Sequence, residues 1–169
     1  MKILIAEDDR ISRLFLEDFM QDYGQCDVAV DGKETLDLYL ESVREGKPYD
    51  LLCLDIMMPK VDGLKVLRVI RGLEEQSGVG PEAHLKIIMM TALAEVNYVK
   101  EAFDLGCDAY ASKPIDTDKV EEVMRNIGLL PGGQKGTSEQ QAAPEGGSDA
   151  AEQEAAPEGS GEAAPSGKE

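Results

Sequence analysis

Residues 51–63 have the sequence LLCLDIMMPKVDG, in which a short apolar run leads into a single acid, Asp55. An apolar run of this length, bounded by Pro59 and Gly63, is typical of a strand that is buried on both faces. Such strands occur in parallel α/β sheets, where functional groups lie at the carboxyl ends of the strands. The stretch therefore predicts an α/β fold whose central strand presents Asp55 at the edge that carries the chemistry.

Three further strand-like runs also end on polar groups. Residues 3–6 lead into Glu7-Asp8-Asp9, residues 87–90 lead into Thr91-Ala92, and residues 109–112 lead into Lys113-Pro114. Parallel strands end at one edge of their sheet, so we expect the acids, the hydroxyl and the lysine to meet Asp55 there.

Helical patterns separate these strands. A short strand is predicted at residues 28–30, and five segments have apolar residues three or four positions apart. The segments are marked by Ile11, Leu14, Phe15 and Phe19; by Leu36, Leu40 and Val43; by Leu64, Leu67 and Ile70; by Val96, Val99 and Phe103; and by Val120, Val123, Met124 and Ile127. Strict alternation of strand and helix predicts a doubly wound parallel sheet with five strands and five helices.

The last part of the chain has a different composition. Residues 131–169 contain no Val, Ile, Leu, Met, Phe or Tyr, and the pentapeptide AAPEG at residue 142 recurs at residue 155. A segment without large apolar side chains cannot offset the entropy cost of ordering. We therefore expect one folded domain over residues 1–130 and a disordered acidic tail, rich in Ala, Pro, Glu and Gly, over residues 131–169.

Charge and hydropathy exclude several classes of function. The formal net charge is -17, of which the tail contributes -6 and the domain -11. Nucleic-acid binding needs clustered Lys and Arg, and no basic or helix-turn-helix segment follows residue 130, so a transcription factor is disfavoured. Neither a signal peptide nor a membrane-spanning stretch is predicted, and we expect a cytoplasmic protein with reduced cysteines.

The motifs together resemble a known family. The acids after residue 6, the D-x-M-M-P-x-x-D-G pattern around Asp55, Thr91-Ala92, and Lys113-Pro114 preceded by Tyr110 occur in the order found in response regulator receiver domains of two-component signalling. The resemblance covers about residues 1–130 and is to stand-alone, chemotaxis-regulator-like members. It implies the flavodoxin-like strand order 2-1-3-4-5.

The resemblance also assigns an acceptor and a metal site. Asp55 would accept the phosphoryl group, and Mg²⁺ would be bound by Asp8, Asp55 and the main-chain oxygen of Met57, with Glu7 acting through water. Carboxylates that meet at one crevice repel each other, and a hard cation with oxygen ligands removes that conflict. The run of three acids leaves open whether Asp9 contributes to the metal site or is spare charge beside it. The alternative for all three acids is that Glu7, Asp8 and Asp9 merely cap the first helix.

The remaining motif residues would stabilise phosphate and switch conformation. In the family, the counterparts of Lys113, Thr91 and the main-chain nitrogen of Ala92 stabilise the phosphoryl group, and the Lys-Pro peptide bond is cis. Thr91 and Tyr110 would move together on phosphorylation and change the surface formed by helix 4, strand 5 and helix 5.

The sequence favours a signalling switch that is not an enzyme. A histidine kinase or phosphotransfer protein would supply the phosphoryl group, and an unknown target protein would recognise a monomer or a weak, phosphorylation-dependent dimer. A phosphorelay intermediate is the alternative. An aspartyl-phosphate enzyme or flavin protein of the same architecture is disfavoured, because no D-x-D-G-T motif is present and acids occupy the first loop where a phosphate cradle needs Gly, Ser or Thr.

Overall fold

The computed structural model describes residues 1–92 and 96–132. It contains one parallel sheet, with a helix after each strand. The elements in chain order are β1 (Lys2–Ala6), α1 (Arg10–Met20), β2 (Gln25–Ala29), α2 (Gly32–Arg44), β3 (Leu51–Asp55), α3 (Gly63–Gln76), β4 (Lys86–Ala92), α4 (Val96–Asp104), β5 (Ala109–Lys113) and α5 (Thr117–Asn126). The strand order is β2-β1-β3-β4-β5, which confirms the predicted doubly wound fold.

The central strand β3 is buried along its whole length, as its apolar sequence predicts. Alternate side chains point to opposite faces of the sheet. Leu52 and Leu54 therefore pack in a core with Leu67 and Ile70 of α3, whereas Leu51 and Cys53 pack in a second core on the other face. These two cores hold β3 and its neighbours in fixed register.

Four helices begin at an aspartate that caps the first turn. The carboxylates of Asp9, Asp31, Asp62 and Asp116 accept hydrogen bonds from main-chain N–H groups at the start of α1, α2, α3 and α5. A side chain of this kind satisfies N–H groups that have no partner within the helix, and it contributes about 1 kcal/mol. The caps fix where each helix starts relative to the strand before it.

Two details differ from the sequence prediction. The second strand begins at Gln25 and ends at Ala29, because an edge strand that is only partly buried tolerates polar residues, and Val30 lies outside it. In α1 the buried positions are Leu16 and Met20. The predicted apolar positions Ile11, Leu14 and Phe15 are instead exposed, as are Val43 of α2 and Phe103 of α4.

A network of buried and half-buried charges lies at the opposite edge of the sheet, where β4 begins. The Arg71 guanidinium lies 2.6 Å from Glu74 Oε2 and 2.9 Å from Asp108 Oδ2, and its Nε donates to the main-chain oxygen of Gly106. Asp108 also lies 2.9 Å from Nε2 of His84, the only histidine in the chain. The network connects α3 to the segment between α4 and β5.

Within the described ranges, the structure contains no helix with both the length and the apolarity needed to cross a bilayer.

Leu93 and residues 133–169 lie outside the described residues, as does the side chain of Val96. The predicted tail therefore stays a prediction.

Candidate functional site

Three carboxylates converge at the carboxyl ends of β1 and β3. Oxygen atoms of Glu7, Asp8 and Asp55 all lie within 4.8 Å of one another. They meet because β1 and β3 are adjacent parallel strands that pair Ala6 with Leu54, the residues just before Glu7 and Asp55. Glu7 and Asp55 are 1% and 3% exposed, whereas Asp8 is exposed to solvent. The cluster is therefore a partly buried acidic site with one open side.

Lys113 brings a positive charge into this cluster from the end of β5. Its Nζ lies 2.9 Å from Asp55 Oδ1 and 2.8 Å from Glu7 Oε2, and it donates a hydrogen bond of 3.1 Å to Glu7 Oε1. Because β5 is two strands away from β3, only a long side chain spans the distance. The Lys113-Pro114 peptide bond is cis, as the resemblance implies.

The charges of the site perturb one another. Burial raises the pKa of Asp55 to about 6, with a smaller upward contribution from the Glu7 and Asp8 carboxylates, and the hydrogen bond from Lys113 opposes the rise. Burial by itself would lower the pKa of Lys113, but its hydrogen bonds to Glu7 and Asp55 outweigh burial, and the pKa is raised. Lys113 therefore stays charged, and Asp55 holds its charge at neutral pH at an energetic cost.

The donor set suits a hard divalent cation. Glu7 Oε2 is buried and has no hydrogen-bond partner among the described residues, although Lys113 Nζ lies 2.8 Å away as an ion-pair partner. Three carboxylates face one ammonium group, so the site has excess negative charge next to oxygen ligands of the kind that Mg²⁺ prefers. Asp8, Asp55 and the main-chain oxygen of Met57, two residues after Asp55, could hold such an ion.

Asp9 has a different role from its two neighbours. Its carboxylate caps α1 and accepts a hydrogen bond of 2.8 Å from the main-chain N–H of Ser12, which lowers the pKa of Asp9. Arg13, one turn into α1, donates to the main-chain oxygens of Glu7 at 2.7 Å and Asp8 at 3.1 Å. Arg13 thus orients the acidic residues 7 and 8. No spacing rule in the sequence indicates this contact.

The predicted switch residues lie on β4 and β5. Thr91 is 3% exposed and follows Met90, the β4 partner of Asp55, so it lies near the same edge. The half-buried Tyr110 ring packs edge-to-face on Phe103 of α4, with ring centroids 6.0 Å apart. The aromatic pair connects β5 to α4, which lies on the surface predicted to change.

Comparisons with known proteins agree with this geometry. A family model described as response regulator receiver domain matches residues 3–125. The chain is 33% identical over 124 residues to hybrid signal transduction histidine kinase I of Dictyostelium discoideum, a match that covers 73% of this chain and 7% of that protein. It is 29% identical over 125 residues to sporulation initiation phosphotransferase F of Bacillus subtilis, covering 73% of this chain and 90% of that protein.

A solved structure shows the same fold. The receiver domain of the Saccharomyces cerevisiae response regulator Ssk1, crystallised with the histidine phosphotransfer protein Ypd1, is similar with a TM-score of 0.64 and 24% identity, over 74% of this chain and 87% of that chain. The chain spans only a small fraction of the length of the histidine kinases that it matches. On the family match and the fold together, the chain belongs to the response regulator receiver domain family of two-component phosphorelay signalling.

Proposed function

We propose that Asp55 is the phosphoacceptor of a signalling switch. The observation that carries the proposal is the buried Asp55 carboxylate, which lies 2.9 Å from the Lys113 ammonium group and within 4.8 Å of two further acids. An Asp55 oxygen attacks the donor's phosphorus, the bond from phosphorus to the donor's leaving atom breaks, and an acyl phosphate forms. The leaving group takes up a proton as it departs.

The surrounding residues stabilise charge on the transferred group. Lys113 supplies a fixed positive charge, and the Thr91 hydroxyl and the Ala92 main-chain N–H serve as hydrogen-bond donors to phosphoryl oxygens. A bound Mg²⁺, held by Asp8, Asp55 and the main-chain oxygen of Met57 with Glu7 acting through water, would neutralise further charge on those oxygens. Asp9 stays at its capping position.

The output is recognition by another protein, and the chain itself is not an enzyme. Movement of Thr91 toward the phosphate would let Tyr110 change position, and Tyr110 contacts Phe103 on the exposed surface of α4. The event at Asp55 would thereby alter the surface of α4, β5 and α5, as a local change in charge biases an element with two arrangements. The target, the dimeric state and a chemotaxis role stay predictions.

A second role, as a phosphorelay intermediate, is favoured by the exposed apolar residues of α1. Ile11, Leu14 and Phe15 are 79%, 52% and 48% exposed on the helix that begins just after the acids. A histidine kinase or phosphotransfer protein that packs against this helix would reach Asp55. Relatives of this chain include hybrid kinases and a phosphotransferase, which agrees with such a donor.

The acceptor is tested with acetyl phosphate and Mg²⁺. The protein should gain one phosphate that is labile to hydroxylamine, and Asp55→Asn should lose it. Asp9→Asn is the matched control, because Asn caps a helix about as well as Asp, and it should be labelled like the native protein. Equal labelling of the Asp55→Asn variant would refute the acceptor assignment.

For the relay, Ile11→Asp should slow transfer from a phosphohistidine protein and leave labelling by acetyl phosphate unchanged.

A further inference from the structure

An ion pair joins the two loops that border the candidate site on one side. Lys60 Nζ, in the loop between β3 and α3, lies 2.5 Å from Asp31 Oδ2 at the start of α2. The Asp31 side chain is 6% exposed, and its other oxygen accepts a hydrogen bond of 2.9 Å from the main-chain N–H of Glu34. The anion is therefore held rigidly, and the lysine from the other loop is attached to it.

The backbone of Lys60 is in the left-handed region. Its φ is +66°, and among residues 1–92 and 96–132 it is the only non-glycine residue with a positive φ. Glycine and asparagine adopt this conformation at least cost, and unfavourable backbone angles persist where the surrounding structure requires them. The backbone conformation at position 60 does not favour a lysine. The ion pair of its side chain with Asp31 is therefore the feature that a lysine adds at this position.

The same loop is packed closely at both ends. A Cβ atom added at Gly32, the first residue of α2, would lie 1.9 Å from the main-chain oxygen of Val61. A Cβ atom added at Gly63 would lie 2.1 Å from the main-chain oxygen of Asp55. Residues 56–62 are thus pressed against α2 on one side and against the end of β3 on the other.

We propose that Lys60 is a positioning residue, whose ion pair with Asp31 fixes residues 56–62 so that the main-chain oxygen of Met57 is held ready to bind Mg²⁺. The proposal rests on the proposed function, because it concerns the metal of the same site. Lys60 itself does not bind the ion. It acts through the loop that carries the ligand, in the way that outer contacts orient metal ligands.

Simple electrostatics predicts the opposite effect, which makes the proposal testable. Lys60 is a cation near an acidic site, so loss of its charge alone would strengthen the binding of a second cation. Loss of the positioning contact would weaken binding. The sign of the change in Mg²⁺ affinity therefore distinguishes the two effects.

The test uses three variants of the full-length chain. Lys60→Asn removes the ammonium group and tolerates the left-handed backbone, whereas Lys60→Arg keeps the charge and the reach. Lys33→Gln is the control, because Lys33 forms a solvent-exposed pair of similar length, 2.6 Å from Asp37 within α2, that connects no loops. Isothermal titration calorimetry measures Mg²⁺ affinity, and urea unfolding in EDTA measures stability.

We expect Lys60→Asn to weaken Mg²⁺ binding about tenfold, the low end of what outer contacts of a metal site contribute, while the protein still unfolds in one cooperative transition in EDTA, at a midpoint lowered only by the loss of the ion pair with Asp31. Lys60→Arg and Lys33→Gln should bind Mg²⁺ within about twofold of the native protein. Unchanged or tighter binding by Lys60→Asn, alongside normal binding by the native protein, overturns the positioning role alone. If the native protein neither binds Mg²⁺ nor accepts phosphate, the proposed function fails and this inference fails with it.

Discussion

Replacing Asp55 with asparagine should stabilise the metal-free protein at neutral pH. Asp55 is nearly the same shape as Asn, and Lys113 Nζ, now 2.9 Å from Oδ1, can donate to the Asn oxygen as well. The change therefore removes a buried charge that lies beside two other carboxylates and keeps the packing. Removal of that charge relieves both the burial of the carboxylate and its repulsion by Glu7 and Asp8.

The size of the effect follows from the pKa of Asp55, which burial raises from 3.8 to about 6. A tenfold change in an ionisation constant corresponds to about 1.4 kcal/mol, so ionised Asp55 destabilises the folded state by up to about 3 kcal/mol at pH 8. The pKa of Asp55 is higher in the folded protein than in the unfolded chain. The stability that the protein has with Asp55 protonated is therefore fully present below pH 3.8 and is lost as pH rises through 6. The benefit of Asp55→Asn should thus be largest at pH 8 and about half as large at pH 5.

Urea unfolding in EDTA, followed by circular dichroism at pH 8 and pH 5, measures this difference. Asp31→Asn is the matched control with the opposite sign, because the hydrogen bond from Lys60 lowers the pKa of Asp31 and its charge stabilises the fold. Mg²⁺ should stabilise the native protein more than the Asp55→Asn variant. Equal stability of the Asp55→Asn variant and the native protein at pH 8, or a gain that does not fall toward pH 5, would refute the reasoning.

Three further predictions concern the rest of the chain. Deletion of residues 131–169 should change the free energy of unfolding by less than about 1 kcal/mol and leave phosphorylation unchanged, whereas a larger loss would show that the tail docks. In family members that lose phosphate quickly, polar side chains two residues after the acceptor aspartate and two after the threonine hold the attacking water; this chain has Met57 and Leu93 at those positions, so the family resemblance implies slow loss of phosphate. The double variant Met57→Asn with Leu93→Glu should lose phosphate roughly tenfold faster once the donor is removed, because polar side chains at these positions can orient a water; an unchanged lifetime would contradict the expectation of a slow switch. Arg71→Met should lower stability by about 3 kcal/mol, since the buried Glu74 carboxylate loses its ion-pair partner while Asp108 keeps its contact with Lys86, with normal labelling of Asp55; a change below about 1 kcal/mol would contradict that role.

Much of the fold follows from local sequence. The apolar run before Asp55 predicts a doubly buried strand, and β3 is buried throughout. Strand-like apolar runs alternate along the chain with segments whose apolar residues have helical spacing, and this alternation predicts the α/β class. The strand order, expected from the family resemblance, is confirmed. The prediction succeeds here because burial on both faces constrains every residue of a central strand. It was less accurate for β2 and α1, where one face meets solvent and polar or apolar residues are both tolerated.

The sequence by itself determined the fold class and which residues gather at the carboxyl edge of the sheet, because all the strands of a parallel sheet end at the same edge. Only the tertiary structure decided that Lys113 reaches both Glu7 and Asp55, that Asp9 caps α1 while its neighbours face the site, and that Lys60 is attached to Asp31. These contacts join residues far apart in the chain or depend on which way a carboxylate points. Periodicity and motif spacing do not predict such contacts or the direction of a carboxylate, because packing between elements fixes them.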